Sequence, residues 1–164
     1  MFARIAQPQP QSAQGADVVA RAVGALALAA LAVIHVVDLP GTLGATPLVG
    51  FGYFGIIAAA VLTAGVMIAR SHWLAWAAAG AVATAAMGGY VLTRALPGGF
   101  LGDHGDVGNW RCPLGITALS VETLIILLAA GAVLAAWLAR ARAASMTEAP
   151  RPAARRVPEY SQSH

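Results

Sequence analysis

Six residues that can ionise or donate hydrogen bonds stand out because they interrupt or border long apolar segments: His35, Asp38, Tyr90, Arg94, Trp110 and Glu122. His35 and Asp38 are three positions apart, and Tyr90 and Arg94 are four apart, so each pair shares one face of a helix. An ionisable side chain within lipid costs about 2.5–3.5 kcal/mol on insertion scales, so such groups usually turn inward and pair. We therefore expect a polar layer that stabilises the packing of the helices or binds a ligand or a partner.

Arg94 is the permanently charged cation of this predicted layer, and Asp38 and Glu122 are its predicted partners. His35 can join them as a hydrogen-bond donor or acceptor. Two plainer interpretations stay open. The charged groups at the helix ends can lie among lipid headgroups, where charge is tolerated, and His35 can be a polar contact that fixes helix packing.

A metal site is a weaker hypothesis that rests on residue types alone. His35, Asp38, His104 and Glu122 carry suitable ligand atoms, but their spacing matches no familiar ligand pattern. His35 and His72 are predicted at opposite ends of the helices, so they cannot hold one haem within a chain. The single cysteine, Cys112, excludes an internal disulfide. We therefore predict no cofactor and assign no catalytic residue.

The composition indicates what kind of elements hold these residues. Of the 164 residues, 59% are hydrophobic and 10% are charged, and the mean hydropathy is +0.71. A soluble domain is about 25% charged, so lipid must be the solvent for most of this chain. The net charge of +3 comes from arginines in tails and connections. It is typical of positive residues beside a membrane and does not indicate a nucleic-acid partner.

Four apolar segments are long enough to cross a bilayer, and their backbone polar groups can be satisfied in lipid only as helices. The predicted helices cover about residues 17–39, 48–69, 73–94 and 114–139. We expect the first helix to end at Leu39, because Pro40 and Gly41 follow it. The transmembrane domain then covers residues 17–140, between disordered tails at 1–16 and 141–164.

Arginine placement predicts the orientation, because cytoplasmic connections carry the excess of positive residues. Both termini are expected in the cytoplasm, with loops 40–47 and 95–113 outside. Short connections make successive helices antiparallel neighbours, so the predicted fold class is an all-α membrane protein, a four-helix up-down bundle. Counting a rise of about 1.5 Å per residue from the cytoplasmic ends puts His35, Tyr90 and Glu122 at one depth near the outer surface, with Tyr53 at a similar level. Residues 96–111 are expected to fold over this layer as a cap, with Trp110 at the interface.

Several short motifs resemble a group of small four-helix integral membrane proteins of actinobacteria. They are His35-Val36-Val37-Asp38-Leu39-Pro40-Gly41, Gly89-Tyr90-Val91-Leu92-Thr93-Arg94, Gly108-Asn109-Trp110, Pro113-Leu114-Gly115 and Val121-Glu122. The similarity covers about residues 17–140. It implies an actinobacterial plasma membrane and a helical bundle, and it implies no particular activity.

The sequence thus favours a non-enzymatic, multi-pass plasma-membrane protein. Its polar layer would stabilise the bundle and bind a small ligand, a lipid headgroup or a partner protein. One alternative is a membrane redox or metal-binding protein that uses His35 and the acidic residues. A second is an oligomeric subunit of a small transporter or sensor. The expected partners are the lipid bilayer and either another membrane protein or a second copy of the chain.

Overall fold

The described part of the chain, residues 11–70 and 72–148 of a computed structural model, consists of four helices and their connections. The helices are α1 (Gln11–Ala45), α2 (Pro47–Ala69), α3 (Trp73–Ala95) and α4 (Pro113–Glu148). Of the tails predicted at residues 1–16 and 141–164, residues 1–10 and 149–164 lie outside the described residues.

All four helices are long and apolar enough to cross a membrane. The shortest helices have 23 residues and so measure about 35 Å, against a hydrocarbon core of about 30 Å. Large apolar side chains such as Leu26, Leu62 and Ile68 are exposed on the bundle surface, where lipid can cover them. The predicted fold class, an all-α bundle of four transmembrane helices, is confirmed, and the four helices fit a multi-pass integral membrane protein.

Each helix packs against two others, and the contacts run from α1 to α2, α3 and α4 and back to α1. Thr46 alone separates α1 from α2, and Arg70 to His72 separate α2 from α3. The longest connection, residues 96–112, joins α3 to α4. We call the end of the bundle at which this connection lies the loop end.

The core combines a few large side chains with many small ones. Leu28, Leu31, Met67 and Ile125 are almost fully buried, and buried alanines fill the space between helices. A methyl group added at Gly24 would lie 2.8 Å from Met67 Sδ and 2.8 Å from an atom of the Trp76 ring. Small residues at such contacts let helices approach closely, and the van der Waals packing that results is one of the interactions that drive helix association in lipid.

The predicted end of the first helix at Leu39 is wrong, because α1 continues through Pro40 to Ala45. Proline removes one backbone hydrogen bond, but membrane helices tolerate it when neighbouring groups compensate. Pro40 leaves the Val36 carbonyl without its helical donor, and two residues further on the Thr42 hydroxyl donates to the Asp38 carbonyl at 3.1 Å. Leu43 packs so tightly on α2 that a methyl group added at Gly50 would lie 2.6 Å from Leu43 Cδ2. Packing on α2 thus holds the extra turn in place.

The helices also reach into parts of both predicted tails. Residues 11–16 belong to α1, and residues 141–148 belong to α4. The predicted helix boundaries at residues 17 and 139 follow the ends of the apolar segments. Neither extension contains proline, and alanine, arginine, methionine and glutamine favour helix, so each helix runs on past its apolar part.

Candidate functional site

A cavity of about 540 Å³ opens at the loop end, between the helices and the α3–α4 connection. We call it the loop cavity. The structure brings five of the six predicted site residues to its wall: His35, Asp38, Tyr90, Arg94 and Glu122. The connection covers one side, through Phe100, Leu101, Asp103 and Asp106. The volume of the loop cavity lies within the usual range of about 300–1,000 Å³ for small-molecule sites.

Asp38 joins α1 to α2 at one side of the cavity. Its Oδ2 accepts hydrogen bonds from the Tyr53 hydroxyl at 2.9 Å and from the Thr42 hydroxyl at 3.3 Å. Asp38 and Tyr53 face each other because the tight connection at Thr46 makes α1 and α2 antiparallel neighbours. The pair therefore links two helices as well as forming part of the cavity wall.

His35 lies one turn deeper in α1 and is 7% exposed. Its ring meets the Tyr53 ring edge to face, with centroids 4.7 Å apart. Its Nδ1 lies 2.9 Å from the Leu31 carbonyl, which can only accept, so Nδ1 carries the hydrogen. In the neutral ring Nε2 is then an acceptor, and no described residue donates to it.

Arg94 is buried at the end of α3, and all its nitrogens are engaged. Nε donates to the Asn109 carbonyl at 3.1 Å, and Nη1 donates to the Thr93 hydroxyl at 2.7 Å. Nη2 forms an ion pair with Asp106 at 3.1 Å, and the guanidinium lies 3.7 Å from the centroid of the Tyr90 ring. The predicted partners Asp38 and Glu122 are therefore not the ones that Arg94 contacts. The loop supplies the partner, because it folds back over the end of α3.

The α3–α4 connection is fastened to the helices at several points. The Gly108 N–H donates to the Arg94 carbonyl at 3.0 Å, and the Tyr90 hydroxyl donates to the Trp110 carbonyl at 3.2 Å. Asp103 is buried, and its Oδ1 accepts from the Asp106 N–H at 3.2 Å, which orders the turn before Asp106. These bonds hold the loop as a cover on the cavity.

Glu122 is the most unusual member of the site. It is 1% exposed, it lies within α4, and its Oε2 is buried without a hydrogen-bond partner among the described residues. No ion pair reaches it in that part of the chain. Burial of an unpaired carboxylate is costly, so such a group is generally either protonated or paired with a cation or a hydrogen-bond donor.

The other predicted residues lie at the edge of the site or outside it. Trp110 is half exposed and meets the Tyr90 ring edge to face, with centroids 6.2 Å apart, but it does not line the cavity. His104 is exposed and also lies outside the cavity wall. Among residues 11–70 and 72–148, no three His, Cys, Asp or Glu side chains are grouped to hold a metal ion. His35, Asp38, His104 and Glu122 therefore do not form the metal site that was considered as a weaker hypothesis.

Contributors to the site that were not predicted as site residues include Tyr53, Thr93, Asp103 and Asp106. Asp103 and Asp106 are three residues apart in a glycine-rich loop, a spacing typical of a side chain that caps its own turn, so this part was recognisable. Nothing in the sequence indicates that the same turn brings Asp106 to Arg94.

No family model, curated protein or solved structure matches the chain. We therefore infer the function of the site from the chemistry of its own residues.

Proposed function

We propose that this protein is a multi-pass plasma-membrane protein that binds a small ligand in the loop cavity and acts by binding rather than by catalysis. The observation that carries the proposal is Glu122, a fully buried carboxyl group that lines the cavity and lacks a partner among the described residues. A group that served only to hold helices together would be expected to pair with another helix, as Asp38 does with Tyr53.

The proposed location and orientation rest on sequence features. Arginines at both ends of the chain and at Arg70 favour cytoplasmic termini, which makes the loop end extracytoplasmic. The resemblance to small actinobacterial membrane proteins favours the plasma membrane of such a cell. A ligand would then enter from outside the cell or from the outer leaflet.

Filling the cavity tests the proposal. Gly89 lines the cavity and a methyl group added there meets nothing within 4 Å, whereas Gly88 is equally open but does not line it. We expect native mass spectrometry of protein released from its own membrane to show a bound small molecule in the wild type and in Gly88→Leu. Gly89→Leu should lose it. The same adduct in both variants, or none in the wild type, would contradict a ligand site here.

The redox and metal-binding alternative is tested with the same preparations. An absorption spectrum and a metal analysis of wild type, His35→Ala and Glu122→Gln should show no chromophore and no stoichiometric metal. A chromophore or metal that disappears in both variants would replace ligand binding with a cofactor site.

A further inference from the structure

The charges that line the loop cavity are unbalanced. Four carboxyl side chains, those of Asp38, Asp103, Asp106 and Glu122, face one guanidinium, that of Arg94, among the described residues of the wall. Arg94 is already paired with Asp106. An anionic ligand would therefore meet surplus negative charge, and the single cation is already occupied.

The hydrogen-bond donors of the wall are also largely used within the protein. The hydroxyls of Tyr53 and Tyr90 donate to Asp38 and to the Trp110 carbonyl, and Arg94 donates through Nε, Nη1 and Nη2. By contrast, Glu122 offers carboxyl oxygens, and neutral His35 offers Nε2, with no donor to either among the described residues. Apart from the Thr46 hydroxyl, which can donate or accept, the unmet capacity of the described wall is for a ligand that donates hydrogen bonds.

Most of the rest of the wall is apolar, apart from three threonines, Thr42, Thr46 and Thr93. Ile34, Ile56, Leu114 and Ala118 line the cavity together with glycines and alanines of α2 and α3. A hydrated inorganic cation gains nothing from such a surface, and the acidic side chains are not grouped as metal ligands in the described residues. A ligand with an apolar body and one charged end would contact both the apolar and the charged residues of the wall.

We propose that the ligand of the loop cavity is an amphiphilic organic amine, whose protonated N–H group pairs with the Glu122 carboxylate while its apolar body lies against the helices. This inference rests on the proposed ligand-binding function. A charge-assisted N–H to carboxylate hydrogen bond would supply the missing partner of Glu122, and His35 Nε2 provides a second acceptor in the same wall. The amine can be a free molecule or the ammonium headgroup of a lipid.

The test uses three probes that share one compact apolar cage and differ in the head group: 1-aminoadamantane, 1-adamantanol and 1-adamantanecarboxylate. The full chain is placed in phosphatidylcholine nanodiscs, because that lipid has no N–H donor, and binding is measured by titration calorimetry against empty nanodiscs. We expect the ammonium probe to bind at least tenfold more tightly than the alcohol and the carboxylate.

The variants assign the preference to Glu122. In Glu122→Gln, which preserves the side-chain shape, the ammonium probe should lose its tenfold advantage over the alcohol. Thr123→Val is the matched control, because Thr123 is exposed and its hydroxyl bonds only to the Leu119 carbonyl of its own helix. It should bind all three probes as the wild type does. A second set of nanodiscs with added phosphatidylethanolamine distinguishes a free amine from a lipid headgroup. If the cavity binds the ammonium headgroup of this lipid, the lipid will compete with the ammonium probe and lower its apparent affinity.

Outcomes separate this inference from the function on which it rests. If the alcohol or the carboxylate binds the wild type as tightly as the ammonium probe, and Gly89→Leu abolishes that binding, the cavity is a ligand site but the amine is wrong. If none of the probes binds the wild type, the amine is again rejected, and native mass spectrometry of Gly89→Leu decides the ligand site separately. An ammonium preference that survives in Glu122→Gln would also overturn the assignment.

Discussion

Arg94 Nη2 lies 3.1 Å from Asp106 Oδ2, and this ion pair ties the end of α3 to the loop that covers the cavity. The Arg94 side chain is 9% exposed and that of Asp106 is 36% exposed, so the pair is partly shielded from water. The same guanidinium holds the Asn109 carbonyl and lies over the Tyr90 ring. The Arg94 guanidinium therefore supplies several of the contacts that fix the loop, beside the bonds that Gly108 N–H and the Tyr90 hydroxyl donate.

Asp106→Asn should lower the stability of the protein, because it leaves the Arg94 charge buried without its counter-charge. We expect a loss of about 1–2 kcal/mol in the free energy of unfolding, between the values for exposed and buried pairs. Unfolding by SDS in mixed micelles measures it. Arg21→Gln is the control, since it removes an i,i+4 pair with Asp17 at 3.2 Å and should cost less than 1 kcal/mol. Equal losses in the two variants would mean that Asp106 has no special role.

The bond between Tyr53 and Asp38 should appear as a coupling between α1 and α2. In a double-mutant cycle of Tyr53→Phe and Asp38→Ala, which removes the acceptor oxygens, we expect a coupling energy between about 0.6 kcal/mol, the average for hydrogen bonds between membrane helices, and about 1.7 kcal/mol, the maximum found for them. The cycle of Tyr53→Phe with Asp106→Asn is the control, because no hydrogen bond joins those two side chains in the described structure. A coupling near zero in the first cycle would show that the Tyr53 hydroxyl bonds elsewhere.

Gly99 should be the residue of the loop least tolerant of a side chain. Its φ is +74°, and an added methyl group would lie 2.8 Å from the Asp103 carbonyl oxygen. Gly99→Ala should therefore cost about 1–2 kcal/mol and displace the turn that carries Asp106. Maleimide labelling of Cys112, which is half-buried at the cavity, should become faster. Gly98→Ala has open space and an ordinary φ, so it should change neither quantity. Equal labelling rates in the two variants would contradict the loop geometry.

The orientation of the bundle can be tested with single cysteines at opposite ends of α4. Val107 precedes α4 in the loop and Ser145 lies near its end, and α4 has 36 residues, or about 54 Å. In a Cys112→Ser background, a membrane-impermeant maleimide should label Val107→Cys in intact cells. It should label Ser145→Cys only after permeabilisation. The reverse pattern would put the loop cavity on the cytoplasmic side, and labelling of both in intact cells would contradict a spanning α4.

The sequence by itself determined that the chain has four membrane-spanning helices and that its polar residues gather toward one end. Both predictions depend on one segment at a time. The length of an apolar segment and its lack of charged residues indicate that it can span the membrane, and the rise per residue gives the depth of each side chain, without knowledge of the other helices. His35, Tyr90 and Glu122 could thus be assigned one layer from counting alone. The continuation of α1 through Pro40 could not, because it depends on the contact of Leu43 with Gly50.

The tertiary structure alone decided which polar groups meet. Arg94 pairs with Asp106 rather than with Asp38 or Glu122, Asp38 bonds to Tyr53, and Glu122 has no partner in the described part of the chain. These outcomes depend on the rotation of each helix about its axis and on the path of the α3–α4 loop. Rotation and path are set by packing among all four helices, so depth along one helix cannot specify them.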